Sequence, residues 1–333
     1  MPDLPFTYIL APIAGVSDAP FRLLCREMGA DLTFTEMISS DGLVHNFRKT
    51  SQYLQQLPEE SSVGIQLFGS KPEIIREAVH ILNDYDCPVL DFNAGCPVKK
   101  VFGSGSGSAL LADLNKLRQI MEIIVRDSRH PVSLKIRKGI TDQDDITPEV
   151  IRMAEELNLY FLTIHGRSRK QMFSGLSDWS VITRAVKTSR IPIVGNGDII
   201  HAQDAFRRME ESGCTAVMIA RGAMGNPFIF RQIKQPDCPM PSWADKLKFG
   251  LRQMELGLKI KNEHTTVVEM RKHWLWYCKG EPHSAHFKQH IVQFMTCQDV
   301  SNYVTDFIAE LDARYFPFSP ELPDSVNQEG VTE

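Results

Sequence analysis

The sequence predicts an α/β protein: a (β/α)8 TIM barrel followed by a smaller all-helical domain. Three observations carry that prediction. Eight short apolar runs recur between Tyr8 and Arg221, each followed by a turn and a helix-like stretch. Strand signals then stop at Pro236-Asp237-Cys238-Pro239-Met240-Pro241, where three prolines in six residues mark a linker. The chain is 333 residues long and 43 % hydrophobic, enough for a large barrel core with an appended domain.

In chain order the strand-like runs are residues 8–12, 32–36, 63–68, 89–93, 132–137, 161–165, 191–196 and 216–221. Helical patterns lie between them, as at 73–85, 114–129, 148–157 and 202–212. Regular alternation of this kind builds a parallel barrel. A doubly wound sheet would bring fewer strands and a Gly-rich first turn, which is not found. Beyond Trp243 the pattern is helical, at 244–261, 266–278, 284–296 and 300–312, and Pro317 and Pro320 end it. The expected division is a barrel over 1–238, a helical domain over 239–320 and a disordered polar tail over 321–333.

Composition narrows the function classes. No apolar run reaches the roughly 20 residues of a membrane span. Met1-Pro2-Asp3-Leu4 lacks the basic start and apolar stretch of a secretion signal. Seven cysteines form no CxxC pair and no zinc-spaced cluster, so reduced thiols, a cytoplasmic location and no metal site are expected. A net charge of −4 excludes a wholly basic nucleic-acid binder and leaves room only for a local basic patch. Nothing in the sequence points to a protein partner.

Side chains alternate faces along a strand, and this picks out the polar residues of the barrel interior. Gln66 stands apart from Ile65 and Leu67, and Asp91 and Asn93 from Leu90 and Phe92. Lys135 and Arg137 oppose Leu134 and Ile136, and His165 opposes Leu162 and Ile164. A lone inward Gln or His is often a satisfied core group, but Lys is costly to bury. Gln66, Asn93, Lys135 and His165 at successive strand ends therefore favour a polar ligand site at the barrel's C-terminal face. Gly195-Asn196-Gly197-Asp198 and Ala220-Arg221-Gly222-Ala223 close the last two strands, where barrels commonly bind phosphate. Glycine admits the phosphate and Arg221 supplies paired donors. A phosphate end there, with Lys135 and His165 further round the rim, suits flavin mononucleotide (FMN).

The segment Asn93-Ala94-Gly95-Cys96-Pro97-Val98-Lys99-Lys100 sets a cysteine just beyond the fourth strand, over the barrel mouth. A thiol of pKa near 8.5 is protonated at neutral pH and can act as a general acid. A nucleophilic role would need a base, and no His adjoins Cys96. Cys25, Cys87 and Cys214 read as buried structural residues. The stretch 103–108, Gly-Ser-Gly-Ser-Gly-Ser, reads as a flexible loop able to close over a bulky substrate.

These motifs resemble the tRNA-dihydrouridine synthases. Asn93-Ala94-Gly95-Cys96-Pro97 is similar to their N-x-G-C-P signature, and Ala11-Pro12-Ile13-Ala14-Gly15 to their first-strand flavin motif. His165-Gly166-Arg167-Ser168-Arg169, Gly195-Asn196-Gly197-Asp198 and Arg221-Gly222-Ala223 also match. Met270-Arg271-Lys272-His273-Trp274 is similar to the bacterial B-type branch. Ala220 departs from the family's usual glycine, and 103–108 is unusually rich in Gly and Ser.

The resemblance implies reduction of the C5–C6 double bond of tRNA uridines, with NADPH reducing FMN. Cys96 would protonate C5, Asn93 would hold the uracil and Arg137 would stabilise its developing charge. FMN would contact Ala11, Pro12, Ile13, Gln66, Lys135, His165, Asn196, Gly197, Asp198, Ala220, Arg221 and Gly222. From residue 246 to 288 nine Lys/Arg stand against four Asp/Glu. Arg271, Lys272 and Lys279, interleaved with Trp274, Trp276 and Tyr277, suggest a face that grips RNA. Two other readings are a flavin enzyme acting on a free pyrimidine or other small molecule, and a non-catalytic RNA-binding scaffold. The basic helical appendage argues against the first, and the intact Cys96, Lys135 and His165 against the second.

Overall fold

A computed structural model describes residues 4–315. The expected disordered tail at 321–333 lies outside the described residues. Alternating strands and helices form β1 (Tyr8–Leu10), β2 (Thr33–Phe34), β3 (Ile38–Ser39), β4 (Val63–Phe68), β5 (Leu90–Ala94), β6 (Val132–Gly139), β7 (Phe161–Ser168), β8 (Ile193–Asn196) and β9 (Ala216–Ile219). Every pairing is parallel, in the order β1-β9-β8-β7-β6-β5-β4-β2. A bridge between Ile9 and Leu32 joins β1 towards β2, so eight strands form a nearly closed barrel. The expected second strand at 32–36 is interrupted. Phe34 pairs with Gly64 but Ile38 with Leu67, a one-residue slip that leaves β3 as a separate piece on the same neighbour.

The alternation sorts the side chains as expected. Leu10, Ile65, Leu90, Phe92, Leu134 and Ile164 pack outward beneath the helices. Ile9, Phe34, Phe161, Val194, Ala216 and Met218 fill the barrel's interior. The outer helices are α1 (Ala19–Glu27), α2 (Ser40–His45), α3 (Phe47–Thr50), α4 (Pro72–Leu82), α5 (Lys99–Gly103), α6 (Leu114–Asp127), α7 (Thr147–Glu156), α8 (Trp179–Thr188), α9 (Ala202–Ser212) and α10 (Ile229–Lys234). Local signals fix their ends: proline stands in the first turn of α4 and α7, Asp113 caps α6, and left-handed Gly213 ends α9.

The stretch 103–108 is not a free loop. It ends α5 and enters a tight 3-10 turn over Gly107–Ala112, in which Gly107, Ser108, Leu110 and Leu111 are buried. Glycine is needed at 107 because φ is +59° and a Cβ there would lie 2.8 Å from the Cys96 carbonyl oxygen.

The remaining helices, α11 (Trp243–Leu258), α12 (Glu263–Tyr277), α13 (Ser284–Ile291) and α14 (Cys297–Tyr315), share a second core around Trp243, Leu247, Trp274, Tyr277, Phe287 and Val304. Trp274 and Tyr277 are therefore interior residues, not stacking platforms for RNA. Four of the nine cations counted over 246–288 are engaged in ion pairs. Arg252 pairs with Glu27, Lys259 with Glu59, Lys261 with Asp18 and Glu269, and Lys246 with Glu281. Three of these four cations dock the helices on to the barrel side, where Leu256 also packs with Leu23, Leu24 and Leu57. Among the described residues no helix is long and apolar enough to cross a membrane.

Gly250 on α11 lies so close to the Trp274 ring that any side chain would overlap it. Gly250→Val is expected to lower unfolding free energy by about 1–3 kcal/mol, as overpacking does. Urea denaturation followed by far-UV circular dichroism checks this; an unchanged midpoint contradicts the close contact.

Candidate active site

Three of the polar interior residues, Asp91, Gln66 and Asn93, form one hydrogen-bonded chain, and Lys135 and Asn196 a second. Asp91 on β5 accepts from Ser133 Oγ at 2.6 Å and from Gln66 Nε2 at 2.7 Å. Gln66 Oε1 accepts from Asn93 Nδ2 at 2.8 Å, and Asn93 Oδ1 accepts from the backbone N–H groups of Gly95 and Cys96 at 3.1 and 2.9 Å. Asp91 and Gln66 have no exposed surface. Lys135 Nζ donates to Asn196 Oδ1 at 3.0 Å, and Asn196 Nδ2 to the Met218 carbonyl at 2.7 Å. Burial pushes Asp91 up to about 6, against the pull of Ser133, Gln66 and Lys135. Burial likewise brings Lys135 down to about 8, with Asp91 opposing. Gln66 and Asn93, read from sequence as ligand contacts, thus have their amides engaged in shaping the cysteine loop. Asp91 entered the sequence reading only by its parity; the same inward register as Asn93 was the signal for its place here.

The loop carrying Cys96 is held from both sides. Ser108 donates to the Cys96 carbonyl through its backbone N–H at 3.0 Å and its hydroxyl at 2.9 Å. Arg137 donates from Nε to the Gly95 carbonyl at 3.0 Å and from Nη1 to the carbonyls of Ser168 and Met172, each at 2.7 Å. It is 2 % exposed. Arg137, expected to stabilise substrate charge, ties the cysteine loop to the segment after β7 through its Nε and Nη1. Burial pushes the Cys96 thiol above its ordinary value, and the cations of Arg137 and Lys135 pull it partly back. The thiol is protonated at neutral pH.

The other side of the mouth is organised by Arg167, named in the sequence only as part of a motif and 2 % exposed. It donates to both carboxylate oxygens of Asp198 at 2.7 and 2.8 Å, and to the carbonyls of Ser174 and Gly175. Its Nη1 lies 3.3 Å from His165 Nε2. Arginine only donates, so Nε2 accepts and the ring proton sits on Nδ1. Burial holds His165 well below its usual range, reinforced by Lys135, Arg137, Arg167 and Arg221.

Asp198 also accepts from Ser177 N at 2.7 Å and Arg221 Nη2 at 3.1 Å. Its carboxylate thus shapes the loop after β8 and is not free to face a ligand. Gly197 has φ +125°, and a Cβ there would come within 3.0 Å of the His165 ring. Gly222 packs against the Ile199 backbone with no space for a side chain. Ala220 is half-buried at the end of β9, while Arg221 is exposed. Ala11 is buried and Pro12 and Ile13 are half-buried in the turn after β1. Phe173, 53 % exposed, sits between the guanidiniums of Arg137 and Arg221, 5.6 and 5.7 Å from its ring centre.

The two substrate residues expected on α12 part company. Arg271 is half-buried and donates to the Phe294 carbonyl at 3.3 Å, tying α12 to the turn after α13. Lys272 turns towards the barrel: a Cβ at Gly15 would lie 3.5 Å from its Nζ, and its charge acts on Glu36.

The family model described as dihydrouridine synthase (Dus) matches residues 9–312. A probable tRNA-dihydrouridine synthase of Rickettsia bellii is 35 % identical over 86 % of this chain and 90 % of its own length. The tRNA-dihydrouridine synthase B of Xanthomonas axonopodis pv. citri is 35 % identical over 84 % and 86 %, and that of Pseudomonas aeruginosa 34 % identical over 92 % and 94 %. Among solved structures, histamine dehydrogenase from Rhizobium sp. 4-9 superposes with a TM-score of 0.51 at 14 % identity, covering 75 % of this chain and 48 % of that one. The 6-hydroxypseudooxynicotine amine oxidase from Pseudomonas geniculata N1 gives 0.52 at 11 %, covering 69 % and 47 %. The chain spans about half the length of these two, and they share its barrel fold.

The four cations around His165 make a direct test. Protonation would add a fifth positive charge to a desolvated site, so the ring stays neutral as pH falls through 6.5. NMR of ring-labelled histidine is expected to show the His165 signal flat between about pH 5 and 8; a midpoint near 6.5, the unperturbed value, contradicts the arrangement.

Proposed function

The chain belongs to the dihydrouridine synthase family, and from that premise we propose that it reduces the C5–C6 double bond of specific uridines in tRNA, with FMN as bound redox group and NADPH as reductant. The observation that carries this reading is the protonated Cys96 thiol, fixed at the mouth of a barrel whose next two strands, β6 and β7, present a cation, Lys135, and a neutral imidazole, His165.

The residues fit FMN. Lys135 is half-buried at the mouth and suits the electron-rich edge of the ring. His165 offers its Nδ1–H, and Thr163 Oγ1, two residues before it on β7, is buried without a partner among the described residues. Arg221 lies beside Gly197 and Gly222 at the end suited to the phosphate. When bound, the flavin supplies hydride for C6 of the uracil. The protein's task is the proton. Charge develops at C5 and the C4 carbonyl, and Cys96 delivers its proton to C5, leaving a thiolate that water reprotonates. Arg137 and Lys135 stabilise that thiolate, which lowers the cost of donation. The uridine reaches this depth only if it is unstacked from its neighbours.

In this reading 1–238 is the FMN-binding catalytic domain and 239–320 the tRNA-binding domain of a cytoplasmic enzyme. Lys272 overlooks the mouth from α12, and Lys99, Lys100 and Lys170 are exposed on the rim beside it. A free pyrimidine would have no use for them.

Cys96→Ala tests the chemistry. Flavin reduction by NADPH is expected to persist, while uridine reduction in a single turnover slows by roughly 100-fold or more, the scale of lost acid catalysis. Equal dihydrouridine formation by variant and wild type, counted by mass spectrometry of digested tRNA, removes Cys96 from the mechanism.

Replacing Lys99, Lys100 and Lys170 together by Ala tests the grip. Affinity for tRNA should fall, and the slope of log affinity against log salt should flatten by up to about 2–3 units, at roughly 0.7–0.9 for each of three phosphate contacts. Arg271→Ala is expected to destabilise the fold while leaving that slope unchanged. A slope altered by Arg271→Ala but not by the rim substitutions reverses the assignment.

A further inference from the structure

The chain from Asp91 to Cys96 has a direction. An ionised carboxylate only accepts hydrogen bonds, so Ser133 Oγ and Gln66 Nε2 must both donate to Asp91. With its amide nitrogen turned to Asp91, Gln66 has only its oxygen to offer Asn93. Asn93 therefore turns its own nitrogen to Gln66, and its oxygen is left facing the N–H groups of Gly95 and Cys96. Reversing the Gln66 amide would set its nitrogen against that of Asn93 and its oxygen against the Asp91 carboxylate; if Asn93 reversed to match, donor would face donor at the cysteine loop. Backbone N–H groups cannot reverse, so the loop would lose both bonds and open.

We propose that Asp91 is a positioning residue: its carboxylate sets the polarity of the Gln66 and Asn93 amides and so holds the Cys96 loop in its proton-donating pose. The functional meaning rests on the role of Cys96 given above, although the relay itself does not. Three features support it. Asp91 and Gln66 are wholly enclosed, so no water competes for their bonds. The donors Ser133 and Gln66 come from the two strands flanking β5, so the carboxylate is gripped from both sides. Lys135 on β6, with its charge felt at Asp91, favours the ionised, accept-only form at neutral pH.

The test reads the thiol directly. Asp91→Asn gives the relay a side chain that can present either a donor or an acceptor to Gln66, so both polarities become accessible. Gln66→Met keeps the volume and cuts the relay. Cys96 alkylation by iodoacetamide is followed against pH in the full-length protein by peptide mass spectrometry, with half-buried Cys238 as internal reference. Both variants are expected to alkylate Cys96 about 5-fold or more faster near pH 8, with the midpoint moving down towards the ordinary thiol value as the loop opens. The double variant should react no faster than Gln66→Met alone, since the two act through one chain. Should Asp91→Asn fail to fold, Gln66→Met decides. Lowered melting temperature with an unchanged Cys96 profile means a merely structural role and overturns the proposal, as does additivity in the double variant. Dihydrouridine formed by the wild-type preparation separates the two readings. An inactive wild type with altered variant profiles sinks the enzyme function and keeps the relay, whereas an active wild type with unaltered profiles does the reverse.

Discussion

A closed parallel barrel turns every second side chain into one shared interior, and that interior must be filled and electrically settled. Everything at the mouth of this protein follows from how that is done. Apolar residues of β1, β2, β7, β8 and β9 fill much of it. The remainder is polar and charged, contributed by successive strands from β4 to β8. Burying a charge costs several kcal/mol unless it is paired or hydrogen-bonded. Lys135 therefore faces Asn196 and feels Asp91, Arg137 is bonded to three carbonyls, and Arg167 to the Asp198 carboxylate and two carbonyls. The groups that satisfy these cations are the loops of the site, so settling the charges and building the site are one event.

The settlement leaves an excess of positive charge. Lys135, Arg137, Arg167 and Arg221 surround the mouth, and the acids among them are Asp91 and Asp198. That excess keeps His165 neutral and prepares the mouth for an electron-rich ligand. It also acts on Cys96, where two effects oppose. Burial favours the protonated thiol, and nearby cations favour the thiolate. Burial prevails, so the thiol rests protonated, and under the proposed role the cations would act on the thiolate left after donation.

The strands and their inward residues were legible because a period of two is written directly in the sequence, as Lys135 and Arg137 against Leu134 and Ile136 show. Positions hidden from it depend on partners far along the chain. Lys259 meets Glu59 and Arg252 meets Glu27 across about 200 residues, so a local count of charge includes cations that are already paired with the barrel side. Trp274 and Tyr277 were misread for a related reason. Helix α12 packs on the barrel side and on other helices at once, which removes the one-sided stripe that marks a surface helix. Gly and Ser at 103–108 signal a flexible loop by composition, but small residues are equally what a chain needs to pass close behind the Cys96 carbonyl. The detailed roles of Asn93 and Arg137 were hidden too, because residue type reports which bonds a side chain can make and not which loop lies within reach.

The helical region does more than adjoin the barrel. Asp18 caps α1 by accepting from Phe21 N, and its other oxygen accepts from Lys261 at 2.6 Å. It thus ends the turn after β1, which contains Ala11, Pro12 and Ile13, and joins that turn to the segment entering α12. The His273 ring lies tilted against Phe21 on α1, its pKa brought down to about 4 by burial against the pull of Asp18, so no second cation competes with Lys261 for the carboxylate. Lys272, its neighbour on α12, reaches Gly15 in the same turn. Any displacement of α12 is therefore delivered to the turn that frames the mouth. A helix tethered by a flexible linker could wander; one ion-paired into the turn after β1 holds Lys272 at a fixed place beside Gly15.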